Sequence, residues 1–386
     1  MKDNIPEINS YFGFNKCKEH KNIYISDQLP CPHPNCKHGL QSETFIDNGI
    51  PYSNKIIYIR KSWKGFNGEN KYIWIREDEL IIYISNIIYD EVFQIIKGKS
   101  SDSIYHYTTL DTLNKILESN ELWLTEWKCT NDKVEIKHGL KITDEFNRDR
   151  LKIEDNLKTN NYFISSFSYE INNVTLFDRY ADKAQGVAIE FDTKFDCIPR
   201  ENFWYRNAEF MKLMPVIYEE DIQRKIIQYA FSIYENTKEW LAESKEHYNF
   251  DGKVVSKKER KKMLEKFFIT TIEEIISFFK HPSFKDEREI RWLYRFDSDF
   301  IKEHKFNLKM KKLNDKSYYT STDAHDMSYQ NYYNLDEKSK INLPIKSIIL
   351  GSKVENQKKV ISELNERCKM FGFQNIEIRV SEIPYR

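Results

Sequence analysis

The first hundred residues contain short apolar runs separated by polar breaks. KIIYIRKSW at 55–63, NKYIWIRE at 70–77 and ELIIYIS at 79–85 combine Ile, Tyr and Trp with charged residues, a pattern that predicts strands. FNGEN at 66–70 carries the residues of a turn. The segment DEVFQIIKG that follows predicts a short helix ending at Gly98.

Strands and helices alternate unevenly after residue 103. SIYHYT predicts a strand at 103–108, and Thr109 has the hydroxyl that an N-cap needs for the helix that follows. The apolar face of that helix is expected to contain Leu110, Leu113, Ile116 and Leu117. Further strands are predicted at 162–170, 186–192, 286–296, 344–354 and 375–383. Residues 206–280 are charged with helical periodicity, and they predict two or three helices inserted between strands.

This order of elements predicts an α+β fold. Helical segments of unequal length between strands do not give the regular rhythm of a doubly wound sheet. The small polar stretch KGKSSDS at 97–103 predicts a boundary. We therefore divide the chain into residues 1–45, a β-rich extension at 46–100, and a main domain at 101–386 with a helical insertion at about 206–280.

Charge and composition exclude several classes. The chain carries 60 basic and 60 acidic residues, so its net charge of zero gives no sign of steering towards nucleic acid. Its apolar runs are too short and too polar to cross a membrane. MKDNIPEINSYF has no apolar core of a signal peptide, and six cysteines in a chain of 386 residues do not predict a disulfide framework. We expect a cytoplasmic protein without a membrane partner.

Residues 1–45 contain a dense group of cysteines and histidines. The spacing is C-x2-H, a ten-residue gap, then C-x-H-x2-C-x-H. Two pairs of such ligands on a segment without its own apolar core are typical of a tetrahedral zinc site. The favoured ligands are Cys17, His20, Cys31 and Cys36. His38 or, less readily, His33 is an alternative ligand, and an incidental group of Cys and His is the other interpretation.

Two carboxylates define the first candidate for chemistry in the main domain. Glu287 and Glu289 are two residues apart in a predicted strand, so their side chains are expected on one face together with Arg291. Like charges at that spacing raise at least one pKa unless a cation intervenes. The alternative is an exposed strand face on which the glutamates pair with Arg291.

Two other strands carry polar groups that can contact a ligand. His106 lies in an aromatic strand directly before a helix, and Ser166 and Ser168 share one face of the strand at 162–170. Each feature also occurs as an ordinary structural element. Their order along the chain, a His strand, a Ser-x-Ser strand and a Glu-x-Glu strand, resembles the ADP-ribosyltransferase superfamily.

Several segments of the sequence are similar to a narrower family. YHYTTLDTLNKILESNELWLTE, FISSFS, LFDRYADKAQGVAIEFD, DEREIRWLY and IILGS resemble the bacterial domain of unknown function DUF2971. The resemblance covers about 103–354, and 206–280 only poorly. It implies an ADP-ribosyltransferase-like split β-sheet core with a helical insertion, preceded by the small zinc-binding module.

The resemblance also implies roles for individual residues. His106 would bond the NAD ribose, and Ser166 and Ser168 would orient Glu289. Glu289 would bond the ribose and stabilise an oxocarbenium-like centre, whereas Glu287 would activate the acceptor. The aromatic neighbours expected at the NAD site are Tyr107 and Tyr180. Two positions differ from the transferase pattern: Phe167 replaces the Thr between the serines, and His106 replaces the Arg that usually accompanies Glu-x-Glu.

The implied function is an NAD-dependent ADP-ribosyltransferase that modifies a macromolecule. NAD would be the substrate, and RNA or DNA is slightly favoured over protein as acceptor. A small N-terminal module before such a domain is typical of a bacterial toxin or antiviral defence effector that has an antitoxin or defence partner. The alternatives are an NAD glycohydrolase and a non-catalytic protein that senses a ligand or acts as a scaffold. With a catalytic role, Glu289 is expected to line a cleft and not the core.

The zinc site predicts a metal content. Elemental analysis of the purified chain is expected to find about one zinc per molecule. The double substitution Cys31→Ser and Cys36→Ser removes two thiolate ligands and is expected to abolish it. Full retention of zinc in that double variant would contradict the ligand assignment.

Overall fold

The computed structural model describes the chain in separate ranges. These are residues 14–16, 23–26, 44–47, 56–76, 81, 84, 87–89, 91–92, 103–120, 122–127, 135–155, 161–192, 211–243, 255–296, 311–313, 316–320 and 343–384. Two sheets and several helices form within them, which confirms a mixed architecture of strands and helices.

The N-terminal sheet has the strand order β1-β2-β5-β4-β3 within the described ranges. Its strands are β1 (Phe14–Lys16), β2 (Ile23–Ser26), β3 (Thr44–Asp47), β4 (Ile56–Lys64) and β5 (Asn70–Arg76). β4 and β5 pair antiparallel, as predicted from their apolar runs. The predicted turn between them is confirmed, and Gly68 adopts a φ of 77° there, which favours glycine.

The strand predicted at 79–85 is wrong. Residues 81, 84, 87–89, 91 and 92 are helical. Ile81, Ile84, Ile88 and Val92 are buried, and their spacing of three and four residues is that of one helix face. The β propensity of Ile and Tyr obscured this period, because packing against the apolar core overrides local propensity.

The larger sheet runs β12-β13-β7-β8-β6-β9-β14-β15 through the described residues, with β11 also paired to β8 and β10 to β11. The bounds of its strands are β6 Ser103–Thr108, β7 Trp123–Glu126, β8 Asn161–Ser168, β9 Val187–Asp192, β10 Met211–Pro215, β11 Glu289–Phe296, β12 Lys311–Leu313, β13 Lys316–Thr320, β14 Ile345–Leu350 and β15 Glu377–Val380. Strands were predicted from the sequence at the positions of β6, β8, β9, β11, β14 and β15.

Helices cover this sheet. They are α1 Leu110–Ser119, α2 Glu135–Asp144, α3 Val174–Tyr180, α4 Glu220–Glu243, α5 Lys257–Ile276 and α6 Gln357–Met370, with a 3-10 helix at Pro282–Glu287. Thr109 caps α1 as predicted, because its Oγ1 accepts a hydrogen bond from the Thr112 amide at 3.1 Å. In the described part of the chain, no helix combines the length and apolar composition that a membrane span requires.

The helical segment expected at about 206–280 contains α4 and α5, which confirms its helices. It also contains β10, a strand that the charged, helix-like sequence did not predict. The two helices share an apolar core with Trp63 of the N-terminal sheet. The indole Nε1 of Trp63 donates to the Tyr229 hydroxyl of α4 at 3.1 Å, so this contact joins the two parts of the chain.

The larger sheet divides at strand β8, which pairs with three other described strands. Along one edge it pairs with β11 over its whole length. Along the other edge it pairs with β7 at Phe163 and Ile164, and with β6 only at Ser168. The edge of β8 between these contacts therefore lies where β6 and β7 diverge.

Candidate functional site

The three strands with candidate residues are neighbours. β8, which carries Ser166 and Ser168, lies between β6 with His106 and β11 with Glu289. Across β8 and β11, Ser168 is the register partner of Glu289, and Ser166 is that of Arg291. Partners in adjacent strands project to the same side of a sheet, so both serines face the carboxylate of Glu289 and the guanidinium of Arg291.

Glu289 accepts hydrogen bonds at both carboxylate oxygens. Its Oε1 accepts from Ser166 Oγ at 2.6 Å and from Arg291 Nε at 2.7 Å. Its Oε2 accepts from Arg291 Nη2 at 3.0 Å and from Lys280 Nζ at 2.9 Å. These four bonds match the accepting capacity of a carboxylate.

Burial and charge act in opposite directions on Glu289. Burial alone would raise the pKa of this carboxyl, but the charges and hydrogen bonds of Arg291 and Lys280 outweigh it and lower the pKa to about 2. Glu289 is therefore ionised at neutral pH. A carboxylate with so low a pKa is a poor proton acceptor near pH 7, whereas it provides a fixed negative charge.

Glu287 is not part of the strand, which corrects its expected place on one strand face with Glu289 and Arg291. It ends the 3-10 helix, and Arg288 adopts a left-handed backbone with a φ of 44° before β11 begins. His281 and Pro282 start that helix and take the chain out of β geometry. The spacing of the two carboxylates therefore does not follow from strand alternation.

The side chain of Glu287 nevertheless reaches the same place as that of Glu289. Its Oε2 accepts from Lys280 Nζ at 2.7 Å. Its Oε1 accepts from Arg179 Nη1 at 3.1 Å and from the Tyr180 hydroxyl at 3.3 Å, both at the end of α3. We call Lys280, Glu287, Glu289 and Arg291 the carboxylate cluster.

Lys280 was not predicted as a site residue. It lies four residues after the end of α5, in the segment interpreted as an insertion. The same segment supplies the Ser277 carbonyl, which accepts from Arg291 Nη1 at 2.6 Å. Lys280 contacts both glutamates, although an insertion between strands was not expected to reach them. It is one lysine among many in 253–280, so the sequence does not distinguish it as a site residue.

The cluster is buried, and this corrects two expectations. Glu289 is 5% exposed and Arg291 4%. The expectation that Glu289 lies outside the core and the alternative of an exposed, paired strand face are therefore both wrong. The Glu289–Arg291 ion pair itself is present, but as part of a buried network.

Ser168 supports the main chain of the site. Its Oγ donates to the Glu287 carbonyl at 2.7 Å and accepts from the Glu170 amide at 3.1 Å. Ser166 instead contacts the Glu289 carboxylate directly. The two serines thus order Glu287 and Glu289 in different ways.

His106 lies where β6 diverges from β8. Its Nδ1 donates to the Ser166 carbonyl at 2.9 Å, and its ring lies 5.7 Å from that of Phe167. Burial lowers the pKa of His106, partly opposed by this hydrogen bond. Tyr105, and not His106, is the register partner of Ser168, so the His106 side chain projects to the side of Phe167, opposite to Ser166 and Glu289. The expected convergence of His106 and Glu289 on one face is therefore wrong, and His106 contacts Ser166 only at its main-chain carbonyl.

The two candidate aromatic residues differ in exposure. Tyr180 is 41% exposed beside Glu287. Tyr107 is buried, its hydroxyl donates to the Glu170 carbonyl, and its ring packs edge-on against Phe177. The structure therefore places Tyr180 at the rim of the cluster and Tyr107 beneath α3.

The predicted zinc ligands Cys17, His20, Cys31 and Cys36 lie outside the described residues, as do His33 and His38. Their assignment stays a prediction. Within the ranges that the structure describes, no group of three or more His, Cys, Asp or Glu side chains could hold a metal ion.

The low pKa of Glu289 predicts a pH dependence of stability. Its folded pKa of about 2 lies below the ordinary glutamate value of 4.5. The stabilisation is therefore fully present above about pH 4.5, and it is lost as the pH falls towards about 2. Its size is on the order of a few kcal/mol. Glu289→Gln leaves Lys280 and Arg291 without this charge, so the variant is expected to be less stable at pH 7 by about 3–5 kcal/mol.

Urea unfolding of wild type and Glu289→Gln from pH 7 to pH 3 measures this effect. The difference between the two free energies of unfolding is expected to shrink below pH 4.5. Asp111→Asn is the control, because Asp111 forms an exposed pair with Lys115. Parallel stability curves for wild type and Glu289→Gln across this range would contradict the assigned ionisation.

Comparison with known proteins gives one match. Neither the curated proteins nor the solved structures contain a protein that matches the chain. A family model described as "Protein of unknown function (DUF2971)" matches residues 176–292. The match includes the whole carboxylate cluster and Tyr180, and it spans the helical segment that the resemblance was expected to cover poorly. It supports the expected kinship with DUF2971 over this part of the chain.

Proposed function

We propose that this protein cleaves the bond between nicotinamide and ribose in NAD and transfers the ADP-ribose to a macromolecule. The observation that carries the proposal is the Ser166–Glu289 hydrogen bond of 2.6 Å at the centre of three adjacent strands. It joins the Ser-x-Ser strand to the Glu-x-Glu segment, and the His106 strand borders the other side of β8. The expected order of motifs along the chain thus corresponds to neighbours in the sheet.

Glu289 has an electrostatic role in this proposal. As the C–N bond to nicotinamide breaks, positive charge develops on the ribose carbon and ring oxygen, and nicotinamide leaves as a neutral molecule. A carboxylate that stays ionised and is held by Ser166 and Arg291 requires little reorganisation to stabilise that charge. Its pKa of about 2 makes a role as proton acceptor unfavourable.

Glu287 is the carboxylate that an acceptor approaches. Its Oε1 is covered by Arg179, whose side chain is 47% exposed, and by the half-exposed Tyr180. Movement of these two rim side chains opens Oε1 without disturbing Lys280 on Oε2. Glu287 then accepts the proton that the attacking group of the acceptor loses.

His106 provides an acceptor for a hydroxyl group. Because a carbonyl oxygen only accepts, the bond to Ser166 places the imidazole proton on Nδ1. The lowered pKa keeps the ring neutral at pH 7, so Nε2 has a lone pair for a ribose hydroxyl that reaches it from the side of Phe167. Tyr180 is the candidate for stacking on nicotinamide, since its ring is at the rim.

The rim favours an anionic acceptor. Arg179 and Arg288 flank Glu287 with side chains that are 47% and 65% exposed. Guanidinium groups at the entrance attract phosphates, which supports RNA or DNA over protein as acceptor. Transfer of ADP-ribose to cellular nucleic acid is consistent with a toxin or antiviral defence effector, which an antitoxin or defence partner would inhibit.

The decisive variants are Glu289→Gln and Glu287→Gln. Glu289→Gln keeps the volume but removes the charge, and nicotinamide release is expected to fall on the order of a hundredfold or more, about 3 kcal/mol. Glu287→Gln is expected to lose transfer while it keeps some hydrolysis of NAD. The measurement is nicotinamide release together with the fate of label on the ADP-ribose, on variants shown to be folded at the assay temperature.

Glu170→Gln is the matched control. Glu170 is a partly buried carboxylate near the cluster that pairs with Arg288, and its removal is expected to leave nicotinamide release, the step assigned to Glu289, close to wild type. Free labelled ADP-ribose without transfer would identify a glycohydrolase, and neither product would identify a non-catalytic protein. Wild-type turnover by a folded Glu289→Gln variant would refute the catalytic role.

A further inference from the structure

Lys280 is the group that brings Glu287 and Glu289 together. Its Nζ lies 2.7 Å from Oε2 of Glu287 and 2.9 Å from Oε2 of Glu289. Glu287 belongs to the 3-10 helix and Glu289 to β11, with a left-handed residue between them. Strand alternation therefore does not set the distance between these carboxylates, and the Lys280 ammonium is a group that contacts both of them.

The lysine is itself fixed from several directions. Its amide donates to the Ile217 carbonyl at 3.1 Å, and its carbonyl accepts from Nε2 of the buried Gln223 at 3.0 Å. The Nζ atom lies 5.1 Å from the centroid of the Phe284 ring, within range of a cation–π interaction. The side chain is only 7% exposed, so its charge is weakly screened by solvent.

The two carboxylates depend on Lys280 to different degrees. Glu289 also has the two-point hydrogen bond of the buried Arg291. The other cation on Glu287 is Arg179, which is 47% exposed, and ion pairs near solvent are weak. Without Lys280, Glu289 would keep Arg291, whereas Glu287 would keep only the half-exposed Arg179, and two like charges would lie close together.

Several ionisable groups surround the pair. They come from α3, from the segment before α4, from the segment after α5 and from β11, and they are Arg179, Tyr180, Tyr218, Lys280 and Arg291. The two tyrosines have raised pKa values because of burial and the charges of the glutamates, so they remain neutral hydroxyls at pH 7. Lys280 is therefore the one buried cation among these described neighbours that contacts both carboxylates.

We propose that Lys280 is a positioning residue whose ammonium holds the Oε2 atoms of Glu287 and Glu289 at one point. It acts through the glutamates and does not itself contact the reacting atoms. This inference rests on the proposed function for its consequence in catalysis. Its consequence for the charge of the cluster is independent of NAD.

Lys280→Met tests the role, because it keeps the apolar stem and removes the charge. Carbon-13 NMR titration of the carboxyl carbon of Glu289 is expected to show that this carboxyl takes up its proton about one pH unit or more higher than in wild type, because Lys280 is one of the charges that lower its pKa. The acidic limb of the pH profile of nicotinamide release is expected to move in the same direction. Lys280→Arg retains the charge and is expected to restore both profiles towards wild type.

Lys285→Met is the matched control. Lys285 is exposed on the same 3-10 helix, so its loss changes the net charge equally and is expected to move neither profile. If Lys280→Met does not fold in a thermal melt, Lys280→Gln replaces it as the neutral variant. An unchanged carboxyl titration in the folded neutral variant would overturn the inference, whatever the NAD assay shows. A shifted titration in a chain whose wild type releases no nicotinamide would support the positioning role and overturn the proposed function.

Discussion

Four buried charges that neutralise one another are the constraint on which the site depends. Glu287, Glu289, Lys280 and Arg291 are all buried, and their formal charges cancel. A buried ion without its partner is strongly destabilising, so each of the four is tolerated only while the others are in place. The cluster therefore requires β11, the 3-10 helix and the end of α5 to adopt their positions together.

This constraint makes the helical segment part of the site. Ser277 binds Arg291 with its carbonyl, Lys280 binds both glutamates, and Gln223 of α4 holds the Lys280 main chain. His138 of α2 in turn bonds Gln223 at 2.8 Å, so the packing of three helices reaches the carboxylates through hydrogen bonds. A segment that interrupts the order of strands in the sequence thus provides the ammonium that both glutamates bind and a carbonyl that binds Arg291.

The elements that the sequence predicts well are those with a local physical signal. The strands with His106, Ser166 and Glu289 have β-rich apolar patterns, and the N-cap at Thr109 has a hydroxyl in the right place. The site residues that were missed or misplaced depend on tertiary contacts. Lys280 is one lysine in a basic, helical stretch, and only the fold brings it to the glutamates. Glu287 lies outside the strand because His281 and Pro282 start a 3-10 helix. The proline was a sequence signal for this helix, but the Glu-x-Glu spacing favoured a strand. The segment around Ile84 has apolar residues at helical spacing, but its Ile and Tyr content favoured the prediction of a strand.

Binding of NAD at the carboxylate cluster is the central claim, and carbon-13 NMR of the glutamate carboxyl groups tests it most directly. Titration of the labelled chain with NAD is expected to shift the carboxyl resonances of Glu287 and Glu289 in a saturable way, because the proposed function places the nicotinamide ribose next to Glu289 and Glu287 beside it. The carboxyl resonance of a distant exposed glutamate such as Glu363 of α6 is expected to stay in place. Resonances of Glu287 and Glu289 that remain unchanged while NAD is added in large excess would contradict the account.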